Sequence, residues 1–369
     1  MPIELRSWIN PQSYSNSYST AGIAREAAYF TPVPEPVTAD PDYIAGEARE
    51  YEAAGYDASI IPNSATWPDV TVTATWALAR TEKLKVVIAH RAGIQAPTAA
   101  ARAVATMDRL SGGRAGVHLI LGHRDMERDG DFVNDREARY RRGGEYLEIF
   151  TRVLTSPEPF DFDGEFYRVR GAFSGVKPVS SPRPVISFPA ESDLAIEVGA
   201  RYADVLAFHG VTVAEAAGCV EKAKLVAGDR NPSFWINLNM IVGETDEAAR
   251  RHVAEIEVAI RRLLQFRTPG GLRSIREERF SEREAAEGQW ADGVLYLGLT
   301  ALSRATPALV GSPSTIADTV LAYYEAGIGI VTLGTHVTNE RDAELRSETL
   351  RLIKQAVSLR DTAAQGKGA

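Results

Sequence analysis

Residues 84–121, LKVVIAHRAGIQAPTAAARAVATMDRLSGGRAGVHLIL, contain one complete βαβ unit. Two runs rich in β-branched residues, at 84–90 and 114–121, enclose a segment at 97–110 whose apolar residues recur with a helical period. Two parallel strands need a long crossover connection of this kind, because a short turn cannot bring the chain back to the start of the sheet. The stretch therefore predicts an α/β protein with a parallel sheet.

The same alternation continues on both sides of this unit. The β-type runs lie at 3–9, 58–61, 84–90, 114–121, 184–188, 204–209, 234–242 and 329–333. The helical patterns lie at 41–54, 68–80, 97–110, 137–154, 192–202, 213–227, 246–264, 314–326 and 340–358. Eight strands, each followed by a helix, predict a single (β/α)8 TIM barrel domain.

The chain is longer than this fold requires. A minimal barrel needs about 250 residues, which leaves about 120 of the 369 for insertions. Three segments supply them, at 11–40, at 157–183, where a hairpin pattern occurs, and at 265–312. Long insertions in compact domains are usually functional lids or disordered segments. We expect the third to be a lid over the site and the tail at 359–369 to be disordered.

Composition excludes several classes of function. Hydrophobic residues make up 44% of the chain, which rules out a disordered protein, and 49 acidic against 41 basic residues give a net charge of −8. No basic run is suited to tracking a nucleic acid backbone. The first residues carry charges where a signal peptide is apolar, so the cytoplasm is the expected location. A single cysteine, Cys219 in a helical pattern, can form neither an internal disulfide nor a thiolate metal cluster.

Histidines fall at the carboxyl ends of the predicted strands. His90, His118, His209 and His336 end, occupy or follow four different strands, and His123 follows the fourth. TIM barrels carry their chemistry at this end of the strands. We therefore predict a polar cavity into which these imidazoles project together.

A metallohydrolase is the first alternative for such a histidine-lined cavity. It is poorly supported, because the seventh strand carries Asn237 and Asn239, and amides are poor zinc ligands. No phosphate-binding glycine loop, Gly-x-Ser-x-Gly elbow or dinucleotide-binding Gly-x-Gly-x-x-Gly motif follows a strand. The residues alone therefore favour a cavity for an organic cofactor and no metal.

Several motifs resemble one family along nearly the whole chain. The segment APTAAARAVATMDRLSGGR at 96–114 resembles the bacterial luciferase-like flavin monooxygenases, in particular their alkanesulfonate monooxygenase branch. The resemblance continues at 137–140, 162–171 and 308–317. It implies a TIM barrel that binds reduced FMN supplied by a separate NAD(P)H:flavin reductase, adds dioxygen to form a flavin–oxygen adduct, and oxygenates a small organic substrate.

The resemblance also implies roles for individual residues. Tyr140 matches a tyrosine that helps to bind the flavin phosphate, and Arg139 beside it and Ser192 are further expected cofactor ligands. His118 occupies the position of an asparagine in the fourth strand and is expected to contact the cofactor, as is His90. The expected catalytic residues are His336 and His90, which would protonate or position the adduct, with Asn237, Asn239 and the lid cation Arg304. The expected substrate-binding residues are Trp67, Arg91 and His209.

Two departures from the sulfonate branch concern the site itself. An arginine and a histidine of the seventh strand are replaced by Asn237 and Asn239, which removes a cation and a titratable group. A Gly-Gly-Ser phosphate segment is replaced at 190–192 by Ala-Glu-Ser, and Glu191 would repel a phosphate unless it points away. A sulfonate needs cations in a desolvated pocket, and only Arg91, Arg124 and Arg304 remain. We therefore expect a substrate other than a simple alkanesulfonate.

Other functions stay open on the same fold. One alternative is a deazaflavin-dependent oxidoreductase that transfers hydride, and another is a flavin- or ligand-binding relative without turnover. The resemblance to this family implies a homodimer or homotetramer. The expected partners are the reductase, the small-molecule substrate and dioxygen, with no nucleic acid and no membrane.

Overall fold

A computed structural model describes residues 2–11, 39–122, 126–264, 289–303, 305–335, 337 and 339–366. Its strands are β1 (Glu4–Trp8), β2 (Ala58–Ile61), β3 (Lys85–Arg91), β4 (Ala115–Ile120), β5 (Phe160–Asp163), β6 (Arg168–Ala172), β7 (Val185–Pro189), β8 (Val205–His209), β9 (Ser233–Val242), β10 (Leu295–Tyr296), β11 (Ala308–Gly311) and β12 (Ile330–Gly334). Its helices are α1 (Pro41–Ala54), α2 (Val70–Leu78), α3 (Pro97–Ser111), α4 (Arg136–Thr155), α5 (Asp193–Tyr202), α6 (Val213–Ala227), α7 (Asp246–Leu264), α8 (Gly298–Ser303), α9 (Pro313–Glu325) and α10 (Glu340–Gly366).

Eight parallel strands close into a barrel in the order β1, β2, β3, β4, β7, β8, β9, β12, and β12 pairs back with β1. The predicted TIM barrel is therefore confirmed, and each of its eight strands lies where the sequence predicted one. Strand β9 is the longest, because its first half pairs with β8 and β12 while its last residues pair with β11. The antiparallel pair β10–β11 extends the sheet beside the barrel.

Strand alternation sorts the side chains into two layers. One set packs outward against the helices and forms the main hydrophobic core. The other set points into the barrel, where a smaller apolar group surrounds Trp235. This inner group consists of Ile60, Val87, Val205, Ala207, Trp235 and Ile330, with Trp8 packed against it. The split fixes which residues of each strand can reach a site inside the barrel.

The motif around Asp108 builds the end of the barrel opposite to the carboxyl ends of the strands. The Asp108 carboxylate accepts hydrogen bonds from the backbone N–H groups of Val179 and Ser180 at 2.7 and 2.8 Å and from the Ser180 hydroxyl at 2.8 Å. Gly112 ends α3 at a φ of 69°, and Gly113 follows at 88°, so both occupy the left-handed region that glycine adopts readily. These hydrogen bonds and the two glycines hold the turn into β4, and no reacting group is involved.

The described residues cover the three predicted insertions to different extents. The hairpin predicted within 157–183 is confirmed as β5 and β6, while most of 11–40 and the first part of 265–312 lie outside the described residues. The disordered tail expected at 359–369 is wrong up to Gly366, because α10 continues there as regular helix, and its Asp361 accepts a hydrogen bond from Tyr324 of α9 at 2.8 Å. Among the described helices, none combines the length and the apolar character needed to cross a membrane.

Candidate functional site

Two groups of polar side chains lie on the inward-facing positions of the strands. The interior cluster consists of Glu4, Arg6, His118, Ser187, Trp235 and Thr332. The barrel mouth, at the carboxyl ends of the strands, carries Arg91, His209, Asn237 and Asn239. The backbone register connects the two groups, because Thr332 lies between Arg6 and Asn237, and Asn237 lies beside His209.

Trp235 is the centre of the interior cluster. It is fully buried, and its indole N–H donates to the Thr332 hydroxyl at 2.7 Å. The Arg6 guanidinium lies 4.4 Å from its ring, and the His118 ring meets it edge-on at 4.9 Å. Side chains from three other strands therefore converge on the indole of β9, inside the barrel.

Arg6 is a buried cation with its own carboxylate. Its Nε donates to Glu4 at 2.7 Å, and Glu4 also accepts from Lys85 at 3.1 Å. Burial raises the pKa of Glu4, but Arg6 and Lys85 outweigh it and hold this pKa below its usual value. The pair keeps the charge inside the barrel compensated, while Nη1 of Arg6 has no hydrogen-bond partner among the described residues.

His118 belongs to the interior cluster and not to the mouth. Its Nδ1 lies 3.0 Å from the Ser187 hydroxyl, which donates at 3.2 Å to the Val117 carbonyl. Burial lowers the pKa of His118 to about 3, and the nearby Arg6 charge lowers it further in the same direction, so the imidazole is neutral at pH 7. The expected contact of His118 with a cofactor stays a prediction.

His90 faces away from the barrel interior, which corrects the expectation that it projects into the cavity. Its Nε2 lies 2.6 Å from the hydroxyl of Tyr146 on α4, and its ring stacks on Phe150 of the same helix. Val87 faces inward on β3, so His90, three residues later, occupies the opposite face of the strand. Burial lowers the pKa of His90 to about 4. The residue joins the barrel to α4.

Asn237 and Asn239 do share one face of β9, as their spacing predicted, but among the described residues only the Asn239 side chain has a hydrogen-bond partner. The Asn239 amide donates to the Thr306 carbonyl at 2.7 Å and so holds the segment that leads into β11. Asn237 is 5% exposed, and its side-chain oxygen has no hydrogen-bond partner among the described residues. A buried acceptor without a partner costs about 1–3 kcal/mol, and such groups occur where a ligand binds.

The two basic residues of the mouth are each paired with a carboxylate. Arg91 donates at 2.6 Å to Asp129, which lies in the 3-10 turn Met126–Asp129 after β4. His209, the last residue of β8, contacts the carboxylate of Glu191 through Nε2, and this contact is an ion pair when the imidazole is protonated. Beside the mouth, a buried Arg142 binds Asp131 through two hydrogen bonds of 2.8 and 2.6 Å.

The expected phosphate ligands lie in the first turns of α4 and at the start of α5. Tyr140 on α4 packs edge-on against Phe188 of β7, and Ser192 follows the end of that strand by three residues. The Ser192 hydroxyl caps α5 by accepting from the Ala195 N–H at 3.3 Å, while Arg139 donates to the Asn134 carbonyl at 2.9 Å beside the start of α4. A phenol, a hydroxyl and a guanidinium near helix N-termini are types of group that suit a phosphate dianion.

The remaining predicted site residues are partly buried or lie outside the described residues. Trp67 is partly buried in the loop between β2 and α2, and Trp8 is partly buried against the inner apolar group. His336, Arg304, His123 and Arg124 lie outside the described residues. In the part of the chain that the structure describes, no three His, Cys, Asp or Glu side chains come together as a metal site.

Sequence reasoning missed Arg6, Trp235 and Asp129. Period-two alternation was a usable signal for the first two, since Trp235 shares a strand face with Asn237 and Asn239, and Arg6 shares one with Trp8. Histidine positions at strand ends do not reveal strand phase, so a prediction based on them does not include Arg6 and Trp235. Asp129 had no comparable signal, because only the folded loop brings it to Arg91.

Comparison with known proteins adds a family and a set of folds. A family model described as luciferase-like monooxygenase matches residues 21–329. Solved structures with a similar fold include a riboflavin lyase containing a modified FMN and its substrate riboflavin. It is 17% identical with a TM-score of 0.72, over 98% of this chain and 92% of that chain.

Two further structures show the breadth of the fold. EDTA monooxygenase from Chelativorans sp. BNC1 is 17% identical with a TM-score of 0.71, over 98% of this chain and 95% of that chain. The coenzyme F420-dependent tetrahydromethanopterin reductase from Methanopyrus kandleri is 15% identical with a TM-score of 0.67, over 96% of this chain and 98% of that chain. At these identities the likeness shows the fold alone.

Proposed function

Because this chain belongs to the luciferase-like monooxygenase family, we propose that it is a two-component monooxygenase that uses reduced FMN and dioxygen to oxygenate a small organic molecule. The family match over residues 21–329 is the observation that carries the proposal. The positions of single residues support it, since Arg139 and Tyr140 lie in the first turns of α4, Ser192 caps α5, and the side-chain oxygen of Asn237 has no hydrogen-bond partner among the described residues.

The residues at the mouth fit FMN. Tyr140, Arg139 and Ser192 would hold its phosphate at the starts of α4 and α5. The contact with His209 reduces the repulsion that Glu191 would exert on this phosphate. Reduced FMN, when bound, supplies the two electrons with which dioxygen is activated.

The other proposed roles concern the substrate and the proton. Asn237 orients the substrate through its side-chain oxygen. His336 and Arg304 stay the proposed proton donor and the lid cation. Arg91 is occupied by Asp129, which supports a substrate other than a simple alkanesulfonate. The reaction is assigned to the cytoplasm, with a separate NAD(P)H:flavin reductase as transient partner and a homodimer or homotetramer as the assembly.

Rapid mixing of the FMNH2-loaded protein with oxygenated buffer tests the proposed function. We expect the bound flavin to reoxidise at a rate different from that of free FMNH2, with a transient absorbance that free flavin lacks. Tyr140→Phe, which removes only a phenol from the phosphate side, should weaken FMN binding about tenfold and leave the fold intact. Reoxidation at the free-flavin rate by a protein that binds FMNH2 would contradict the proposal.

A deazaflavin-dependent hydride transfer is the second candidate function. It is favoured by the fold shared with the coenzyme F420-dependent reductase. Parallel titration of the protein with FMN and with coenzyme F420 separates the two, because a clear preference for the deazaflavin would replace the monooxygenase proposal. Cofactor binding without any turnover in the presence of a reductase would favour the non-catalytic alternative.

A further inference from the structure

The charges at the mouth are arranged so that its described cations already have anionic partners. Arg91 is 2% exposed and binds Asp129 at 2.6 Å, and His209 pairs with Glu191. Deeper in the barrel, Arg6 carries its own Glu4. An anionic group entering this space would meet carboxylates next to every one of these cations. It would therefore lose hydration without gaining an uncompensated positive charge.

At the mouth, Arg91 and Asn237 each have a buried side-chain atom that lacks a hydrogen-bond partner among the described residues. On Arg91 this atom is Nε, on a guanidinium already paired with Asp129. On Asn237 it is the side-chain oxygen, which is a neutral acceptor and needs a hydrogen-bond partner. Its neighbour Asn239 cannot supply one, because that amide is bound to the Thr306 carbonyl. Only a hydrogen-bond donor satisfies an amide oxygen, so the ligand must bring an N–H or O–H group.

Aromatic side chains belong to the inner layer of the barrel, and one of them, Trp235, lies two residues before Asn237 on β9. Trp8 packs against the inner apolar group on the same side of the strands as Arg6, and it is partly buried. An indole face provides flat apolar area, which suits a ring or a planar group better than a compact charged head.

From these three features we propose that the mouth selects an uncharged, planar or cyclic organic substrate whose N–H or O–H group donates to the side-chain oxygen of Asn237. Ionised sulfonate and carboxylate groups carry no hydrogen-bond donor, so neither can satisfy this oxygen. This inference rests on the proposed function, because it names the substrate class of the same site.

Binding of four matched probes to the FMN-loaded full chain tests the inference. Benzamide is neutral with N–H donors, N,N-dimethylbenzamide is neutral without one, and benzoate and benzenesulfonate present the same ring with an anion. We expect calorimetry to give the tightest binding for benzamide, binding about tenfold weaker for the dimethyl compound, and weaker binding still for both anions. Binding of benzenesulfonate as tight as that of benzamide, or no measurable benzamide binding, overturns the inference.

Two substitutions identify the residues responsible. Asn237→Leu keeps the volume and removes the acceptor, so it should abolish the difference between benzamide and its dimethyl analogue. Asp129→Asn frees Arg91 and should tighten benzenesulfonate binding about tenfold while FMN binding is kept. The inference is overturned if Asn237→Leu still binds benzamide more tightly than its dimethyl analogue. If Asp129→Asn does not fold, the result for Asn237→Leu alone tests the inference. Failure of the chain to bind FMN would instead contradict the proposed function.

Discussion

The interior cluster and the barrel mouth both place polar side chains inside one barrel, yet they differ in what those side chains contact. In the interior cluster, Trp235, Thr332 and His118 bind partners on neighbouring strands. At the mouth, Arg91 and His209 bind residues of the loops that follow the strands, and Asn237 keeps an unpartnered oxygen. Strand-to-strand contacts fix the scaffold, whereas contacts to loops leave the mouth able to take a ligand.

The largest effect is expected when the interior cluster loses its central side chain. Trp235→Ala removes a fully buried indole and its hydrogen bond to Thr332, and should lower the free energy of unfolding by about 3–5 kcal/mol. Urea denaturation measures it. Trp76→Ala is the matched control, because Trp76 is only partly buried on the outer surface of α2. An equal loss of unfolding free energy in both variants would show that the indole of the interior cluster stabilises the fold no more than a partly buried one.

A second substitution tests whether the buried charges of the interior cluster are a structural pair. Arg6→Met leaves Glu4 without its nearest cation and should cost about 3 kcal/mol in the free energy of unfolding, with Lys85 still limiting the loss. The double variant Glu4→Gln with Arg6→Met should recover at least half of that loss. A double variant no more stable than Arg6→Met would show that the guanidinium acts by packing on Trp235 alone.

The neutral histidine of the interior cluster makes stability depend on pH. The pKa of His118 is lowered to about 3 from its ordinary 6.5, so between these values the unfolded chain binds a proton that the folded chain does not. The free energy of unfolding should therefore fall as pH drops from 6.5 toward 3, by up to about 1.4 kcal/mol per pH unit from this group. Unfolding curves of His118→Asn at several pH values should show a smaller slope. An unchanged slope would mean that the imidazole can be protonated in place.

The smallest effect is expected at the mouth. Glu191→Gln removes a carboxylate next to the start of α5 while leaving the interior cluster untouched, and should change the free energy of unfolding by less than about 1 kcal/mol. Loss of the negative charge should tighten FMN binding about two- to fivefold. Asp193→Asn, which removes an exposed carboxylate paired with Lys222, is the control, and an equal gain there would point to overall charge and not to Glu191.

The fold was largely predictable from the sequence because its signal is periodic and local. Runs such as 84–90 and 234–242 are apolar enough to be buried on both faces, and helical patterns separate them at regular intervals. The end of α10 was missed because its last turns carry few apolar residues, and a polar helical tail resembles a disordered one in sequence.

The candidate site was predictable only in part. Spacing alone placed Asn237 and Asn239 on one face of β9, and the structure agrees. The position of His90 at a strand end did not show which way its side chain points. Successive residues of a strand face opposite sides of the sheet, so a difference of one residue decides between the barrel interior and α4. The pairing of Arg91 with Asp129 depends on a loop, and loops carry little periodic signal.

The sequence by itself determined the barrel, its strand order along the chain and the resemblance to one family, since hydrophobic period and motif spacing are written in neighbouring residues. Only the tertiary structure decided which polar residues meet. It joined Arg6, Trp235, His118 and Thr332 from four strands, turned His90 toward Tyr146, and left the oxygen of Asn237 without a partner among the described residues. Those outcomes depend on strand phase and on closure of the barrel, which bring together residues as distant in sequence as Arg6 and Trp235.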